Sequence, residues 1–265
     1  GTMFFADADN GGPFGVGSVL GPHMTVEVTN IFANTYGGAG WDPAPATLPG
    51  DTLPDDYVEF RPGYSYTTGN FKAIADQVRK GARVINMSWG CPQPPCNAFR
   101  VLMYRHFFEQ MAQRHPDVLF VAAAGNDAVA PTGGYWPGGS PLPNMITVGN
   151  VMNDGTTAAS SNLTGPDMEV TLAAPGSQAI RGVAADGTPI ATGGGTSNAA
   201  PQVAGAAALL LSIKPDLTAA QLKEYLSNSA RTTVERPDGT TTAIDPGVGG
   251  RVLAVDQAVF NLIKD

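Results

Sequence analysis

The chain has 265 residues, of which 43% are hydrophobic and 14% charged, and its formal net charge is −8. This length and apolar content suffice for one sizeable hydrophobic core. The acidic balance, without a cluster of lysine or arginine, argues against nucleic acid and anionic membrane surfaces as partners. The longest apolar run, residues 203–211, is too short to span a bilayer and is typical of a core helix.

The first third of the chain predicts a strand, a loop and a helix. Apolar and polar residues alternate in MTVEVTNIF (24–32), which is typical of a strand. Residues 37–69 are rich in Gly, Pro, Asp and Tyr and have no helical period, so they predict a long surface loop. Apolar residues recur at helical spacing over 71–78, and Gly81 is placed to end that helix.

Strands and helices alternate in the rest of the chain. Short apolar runs predict buried strands at RVINMSWG (83–90), VLFVAAAGN (118–126) and NMITVGNV (144–151), with an amphipathic helix over about 97–114. That helix has an apolar face made of Val101, Tyr104, Phe108, Met111 and Ala112. Further helices follow Ser197, begin at Thr218 with a capping box to Gln221, and cover about 253–263.

This alternation predicts an α/β fold, with a mostly parallel sheet and helices on both of its faces. Sites in such folds lie beyond the carboxyl ends of the strands. The motifs SWG and AAGN both stand at such strand ends. We therefore expect the functional residues to be found in or near these two motifs.

Ser197 stands in GGGTSNAAPQVAGAAALLLS (193–212), at the start of the predicted core helix. A helix N-terminus exposes unpaired amide hydrogens and a partial positive charge, which favour an anion developing near the serine hydroxyl. The preceding glycines allow close approach of a ligand, and Pro201 falls in the first turn, where its missing N–H does little harm. The same pattern also fits a plain N-cap, formed by Ser197 or by Thr196.

Asn126 ends a predicted buried strand in AAAGN. A side-chain amide at this place can donate to a charged oxygen, although asparagine beside glycine is also a common turn residue. Each motif alone is weak evidence. The asparagine, the serine and INMSWG, in one chain and in this order, are specific in combination.

With these motifs, the chain resembles the subtilisin-like serine peptidases. The resemblance continues through YWPGGSPLPNMITVGNV (135–151), LAAPG (172–176), PDLTAAQLKEYLSNSA (215–230) and GGRVLAVDQAV (249–259). The resemblance implies that residues 1–265 form one peptidase domain, in which residues 37–69 look like a surface insertion. The chain differs from the common family pattern at Asn198 and Gln202, where the family usually has Met and His.

The resemblance implies a subtilisin-like fold and a serine endopeptidase that cleaves peptide or protein substrates through an acyl-enzyme on Ser197. The Asn126 side chain and the Ser197 backbone N–H would form the oxyanion hole. Two segments would line the cleft, pair with an extended substrate and shape the pocket: Ser88, Trp89 and Gly90, and Ala123, Ala124 and Gly125. Trp89 is either a bulky wall of the cleft or a core residue.

The chain departs from the family at the general base. A nucleophilic serine needs a base and the base needs a carboxylate, and the family supplies Asp, His and Ser in that order. Gly1 and Thr2 match the residues that follow the family's histidine in a helix. We therefore expect the Asp and His upstream, in the same polypeptide or on a separate N-terminal chain, and negligible activity from this chain alone. His23, His106 and His115 are expected to be turn, surface or helix-end residues, and a non-catalytic peptide-binding or regulatory relative is the alternative.

The chemistry needs no cofactor. Asp7, Asp9 and Asn10 fit either a structural calcium ion or a solvated acidic turn, and the 37–69 loop adds further oxygen ligands at Asp51, Asp55, Asp56 and Glu59. Cys91 and Cys96 in CPQPPC predict a local disulfide, with two free thiols as the alternative. The low charge and the abundant Gly, Ser and Thr favour a secreted or extracytoplasmic protein.

Overall fold

A sheet of six parallel strands forms the centre of the computed structural model, which describes residues 2–5, 25–28, 71, 74–75, 77–90, 98–131, 137–139, 141–177, 180–183, 189–191 and 194–265. The strands are β1 (Thr2–Phe5), β2 (Thr25–Val28), β3 (Ala82–Met87), β4 (Leu119–Ala123), β5 (Met145–Val151) and β6 (Leu172–Pro175). Their spatial order is β2-β1-β3-β4-β5-β6, and every neighbouring pair runs parallel.

Helices cover both faces of this sheet. They are α1 (Ala98–Arg114), α2 (Thr196–Ile213), α3 (Ala219–Ser229) and α4 (Val255–Lys264), and residues 71, 74–75 and 77–79 are helical as well. Helices α2, α3 and α4 share one core cluster with β4 and β5, whereas α1 and the 71–79 residues share the other with β3 and β4. Two antiparallel hairpins, β7 (Ile180–Val183) with β8 (Pro189–Ala191) and β9 (Thr233–Glu235) with β10 (Thr241–Ala243), and a short 3-10 turn (Pro246–Val248) complete the elements.

The middle of the sheet is buried on both sides. Every residue of β4 and β5 is buried, as expected for parallel strands covered by helices on both faces. Helix α2 presents small residues to the sheet, and Ala199, Ala200, Ala204 and Ala207 have no exposed surface. The predicted α/β architecture with helices on both faces is therefore confirmed.

Several local predictions are confirmed in detail. Gly81 ends the 71–79 helical residues with φ of 92° and donates its N–H to Val78 O at 2.9 Å. Thr218 and Gln221 form the predicted capping box. The 37–69 loop lies outside the described residues. None of the helices in the described part of the chain is long and apolar enough to cross a bilayer.

The interpretation of the N-terminus as the continuation of a helix is wrong. Residues Thr2–Phe5 form β1, which lies between β2 and β3, with Thr2 opposite both Thr25 and Ala82. A β-branched residue followed by apolar and aromatic residues suits a strand, and pairing on both sides secures it. A short apolar run does not by itself distinguish a strand from a helix.

The position of β1 creates a topological switch point. The chain passes from β1 to β2 on one side of the sheet and then to β3 on the other side. In open parallel sheets, ligands bind in the crevice beyond the carboxyl ends of the strands at such a point. The carboxyl ends of β1 and β3 are Phe5 and Met87, and Ser88 follows directly.

Candidate active site

Ser197 is hydrogen-bonded to the residue that follows β3, at the carboxyl ends of the strands beside this switch point. It is the second residue of α2, and its Oγ donates a hydrogen bond to the backbone oxygen of Ser88 at 3.0 Å. In return, the Ser88 Oγ donates to the backbone oxygen of Ser197 at 2.8 Å. This reciprocal pair joins the N-terminus of α2 to the residue that follows β3.

Pro201 explains why the Ser197 carbonyl is available for that pair. In a regular helix this carbonyl accepts from the N–H of residue 201, but proline has no N–H. The Ser88 hydroxyl supplies the missing donor, and the Asn86 Nδ2 in turn donates to the Ser88 Oγ at 2.8 Å. The expectation that Pro201 lies in the first turn is wrong, since it is the sixth residue of α2, and its missing N–H frees an acceptor for the contact between helix and sheet.

The side chain of Asn126 is held in one orientation by Thr196. Its Oδ1 accepts from the Thr196 backbone N–H at 2.9 Å and from the Thr196 Oγ1 at 3.1 Å. Since a backbone N–H can only donate, this contact identifies the end of the amide that faces Thr196 as the oxygen. The Asn126 Nδ2 makes no hydrogen bond within the described part of the chain and belongs to an exposed residue. The Asn126 amide is thus held against Thr196, the neighbour of Ser197 in sequence, with its Nδ2 donor unused in the described part of the chain.

The plain N-cap interpretation of the serine does not hold. The N-cap of α2 is Gly195, which has no side chain to cap the helix, and both Thr196 and Ser197 lie inside the helix. Asn126 takes over part of the capping by accepting the Thr196 N–H. The same contact thus satisfies the helix end and orients the amide.

Gly194 and Gly195 are required by packing within the protein. A Cβ added at Gly195 would lie 2.8 Å from the Asn126 Oδ1. Gly194 has φ of 47°, and a Cβ there would overlap the Gly176 carbonyl oxygen. These close approaches explain the glycines without a ligand, which is a different reason from the one that the sequence suggested.

We expect Gly195→Ala to lower the free energy of unfolding by about 1–3 kcal/mol, because the new methyl group must displace Asn126. Gly205→Ala in the same helix is the matched control, since a Cβ there meets nothing within 4 Å. That change should stabilise by up to about 1 kcal/mol through helix propensity. Urea unfolding of both variants measures the difference, and equal stabilities would contradict the packing argument.

The segments expected to line the cleft have unequal roles. Ser88 and Trp89 are buried, and the Trp89 ring lies 5.5 Å from the Tyr104 ring within the aromatic core, which favours the core interpretation of Trp89. Gly90 is half-buried. Ala123 is the last residue of β4.

The backbone groups of Ala124 and Gly125 are already used inside the protein. The Ala124 N–H donates to Val148 O at 3.0 Å, and the Gly125 N–H donates to the Thr196 Oγ1 at 3.0 Å. Both carbonyl oxygens accept from Asn162. This segment therefore suits a pocket wall better than a backbone that pairs with an extended peptide.

Asn150, a buried asparagine that sequence reasoning missed, holds the residues that follow strand β6. Asn150 on β5 accepts from the Gly176 N–H at 2.8 Å and donates to the Ser177 Oγ at 2.7 Å. Gly176 is the residue against which Gly194 and Gly195 pack. Asparagine is depleted in strands, so its presence in the apolar run MITVGNV was a usable signal.

The two described histidines lie away from Ser197. His106 is exposed on α1, which covers the opposite face of the sheet from α2, and His115 follows α1 before the amino end of β4. The structure does not bring either of them to the serine.

Other predicted residues fall outside the described residues. They are His23, Asp7, Asp9, Asn10, Asp51, Asp55, Asp56, Glu59, Cys91 and Cys96. Within the residues that are described, no group of three or more His, Cys, Asp or Glu side chains is arranged to hold a metal ion. The calcium and disulfide expectations therefore stay predictions.

Comparison with known proteins gives consistent matches. The family model of the subtilases, peptidase family S8, matches residues 55–249. A halolysin-like extracellular serine protease of Natrialba magadii is 31% identical over 166 residues, which make up 61% of this chain and 28% of that protein. This chain thus spans well under half the length of that relative.

Solved structures agree with the sequence matches. The prenylagaramide maturation protease PagA superposes with a TM-score of 0.55 at 26% identity, covering 79% of this chain and 70% of its own. A cold-adapted subtilisin-like serine proteinase superposes with a TM-score of 0.50 at 30% identity, covering 67% and 60% of the two chains. Both of these neighbours are proteases.

Proposed function

The chain belongs to the subtilase family of serine peptidases, and from this membership we propose that it is a serine endopeptidase with Ser197 as its nucleophile. The observation that carries the proposal is the Asn126 amide, whose oxygen is bound by Thr196, the residue before Ser197, and whose Nδ2 makes no hydrogen bond in the described part of the chain. The orientation also caps α2, so it is the Nδ2 left without a hydrogen bond in the described part of the chain that supports a role in oxyanion stabilisation.

The proposed reaction proceeds by acyl transfer. The Ser197 Oγ attacks the carbonyl carbon of the scissile peptide bond, and its proton passes to a general base. The carbonyl oxygen becomes an oxyanion, which accepts from the Asn126 Nδ2 and from the Ser197 backbone N–H at the start of α2. Expulsion of the amine leaves an acyl group on Ser197, which water then removes.

In this proposal, the general base is a residue that lies outside the described residues. In the structure the Ser197 hydroxyl donates to the Ser88 carbonyl, so a base must draw it away from this contact before attack. The histidine that serves as this base is supplied by the upstream segment or by a separate N-terminal chain. The carboxylate has a further candidate in Asp7, because the sequence continues from β1, at the switch point, into Ala6 and Asp7.

The remaining properties follow from the relatives. The matched relative from Natrialba magadii is described as extracellular, which supports secretion of the present protein. We expect the substrates of the present protein to be peptides or proteins. The proposed chemistry uses no cofactor. A disulfide between Cys91 and Cys96 completes the proposal. If the catalytic carboxylate lies upstream, Asp7, Asp9 and Asn10 fit either a structural calcium ion or a solvated acidic turn.

The proposal is tested by labelling with a fluorophosphonate, which reacts with an activated serine. In the chain completed by its upstream segment, we expect one label per molecule, located by mass spectrometry at Ser197. Ser197→Ala should abolish labelling. Ser212→Ala is the matched control, because Ser212 is exposed on the same helix and its Oγ donates only to Leu209 O at 2.7 Å.

Two outcomes of this experiment would decide against the proposal. A label on another residue would remove Ser197 as the nucleophile. A completed chain that binds peptides but takes no label would be the non-catalytic relative, an alternative favoured by the contact that the Ser197 hydroxyl already makes with Ser88.

A further inference from the structure

We propose that Asn162 is a positioning residue for the oxyanion donor Asn126, an inference that rests on the proposed function. Asn162 has no exposed surface, and it lies in the segment after β5, against the loop that carries Asn126. It lies outside the motifs that contain Ser88, Asn126 and Ser197, and none of its hydrogen bonds within the described residues involves Ser197.

The side chain of Asn162 uses its full hydrogen-bonding capacity on the loop around Asn126. Its Oδ1 accepts from the backbone N–H groups of Asp127 at 2.9 Å and Val129 at 3.3 Å. Its Nδ2 donates to Ala124 O at 3.0 Å and to the Asp127 Oδ2 at 3.4 Å. A carboxamide has two acceptor and two donor sites, and all of them act on residues on either side of Asn126.

The backbone around Asn162 reinforces this clamp. The Asn162 N–H donates to Gly125 O at 2.9 Å, and the Leu163 N–H donates to Val129 O at 2.8 Å. The Ala128 N–H donates to Ser160 O at 3.1 Å. Segments 160–163 and 124–129 are therefore joined along their length.

The loop needs such a clamp because of its backbone conformation. Gly125 has φ of 99° and Ala128 has φ of 56°, so positive φ occurs on both sides of Asn126, at Ala128 in a residue with a side chain. A conformation of this kind persists only where surrounding contacts enforce it. Asn162 itself is fixed, since the Ser161 Oγ donates to Asn162 O at 3.1 Å and accepts from the Asn150 N–H at 3.0 Å.

The hydrogen bonds of Asn162 thus affect catalysis by fixing the position of the Asn126 amide. Oxyanion donors act by being held in place before the reaction, and a loose loop would let the Asn126 Nδ2 move from its position beside Ser197. Loss of Asn162 should therefore weaken transition-state stabilisation more than it weakens substrate binding.

Hydrogen exchange tests the clamp without any need for turnover. We expect Asn162→Ala to speed amide exchange at Asp127 and Val129 about 10- to 100-fold, because both lose their buried acceptor. Asn144→Ala is the matched control: Asn144 is also buried and donates to a backbone oxygen, Val118 O at 3.0 Å, but it precedes the amino end of β5. Unchanged exchange at Asp127 and Val129 in Asn162→Ala, or equal acceleration in the control, would overturn the proposal.

Kinetics of the completed chain test the link to Asn126. Asn162→Ala should lower kcat about 10- to 100-fold with little change in KM, and it should add almost nothing to Asn126→Ala, because both remove the same interaction. Asn144→Ala should leave kcat unchanged. A loss confined to KM, or full additivity with Asn126→Ala, would contradict the positioning role. Absence of hydrolysis by the unsubstituted completed chain would instead refute the proposed function, while the exchange result still decides the clamp.

Discussion

Residues 1–265 alone are expected to hydrolyse peptides about a million-fold more slowly than the chain completed by its upstream segment, since loss of the general base costs about that much in a related enzyme. The reason lies in the contacts of Ser197, whose hydroxyl donates to the Ser88 carbonyl, while His106 lies on the helix that covers the opposite face of the sheet and His115 precedes the amino end of β4. An unassisted hydroxyl is a weak nucleophile at neutral pH. Turnover of a chromogenic peptide by both proteins, at equal concentration, measures the ratio.

Two variants make this comparison specific. Asp7→Asn in the completed chain tests whether the carboxylate follows β1 or lies upstream, because only a carboxylate that orients the base should cause a large loss of kcat. His23→Ala tests the remaining histidine. Activity of residues 1–265 equal to that of the completed chain, removed by His23→Ala, would show that the base lies within this chain.

Asn126→Ala is expected to lower kcat of the completed chain about 100- to 1,000-fold, the range found when one oxyanion donor is removed from a related enzyme. KM should change little, because the oxyanion exists mainly in the transition state. Steady-state kinetics with one peptide substrate provide both constants.

A stability measurement separates this effect from unfolding. Asn126 also accepts the Thr196 N–H at 2.9 Å, so its removal leaves the N-terminus of α2 without that acceptor. Asn126→Asp keeps the acceptor and replaces the donor, so it should unfold like the unsubstituted protein and still lose kcat. If Asn126→Asp retained full kcat, Asn126 would be a structural cap and not an oxyanion donor.

The fold was largely predictable because its elements have strong local patterns. The helical period of 97–114 and the capping box at Thr218 depend on neighbours in sequence, and both are confirmed. β1 was misjudged because only its pairing with β2 and β3 identifies it as a strand. That pairing joins residues far apart in the sequence and leaves no local trace.

The candidate site was predictable in its motifs and not in its support. Ser197 and Asn126 are recognisable from their context, but the residues that orient them are not. Asn162 acts through bonds to distant backbone groups, and Pro201 acts by leaving the Ser197 carbonyl open to the distant Ser88 hydroxyl. A single asparagine or proline in a sequence carries no sign of such a partner. The close packing of Gly195 on Asn126 is likewise a three-dimensional fact.

The reciprocal pair of Ser88 and Ser197 has a consequence for how the protein is made. These residues are 109 positions apart, and Asn126 and Thr196 are 70 apart, so the site is assembled from contacts of long range in sequence. Closing such long loops costs conformational entropy, so these contacts form late in folding. Ser197 and Asn126, the proposed nucleophile and oxyanion donor, are therefore brought together only when the intervening chain has folded. A nascent or partly folded copy of a protease with this arrangement has no assembled site with which to digest its neighbours.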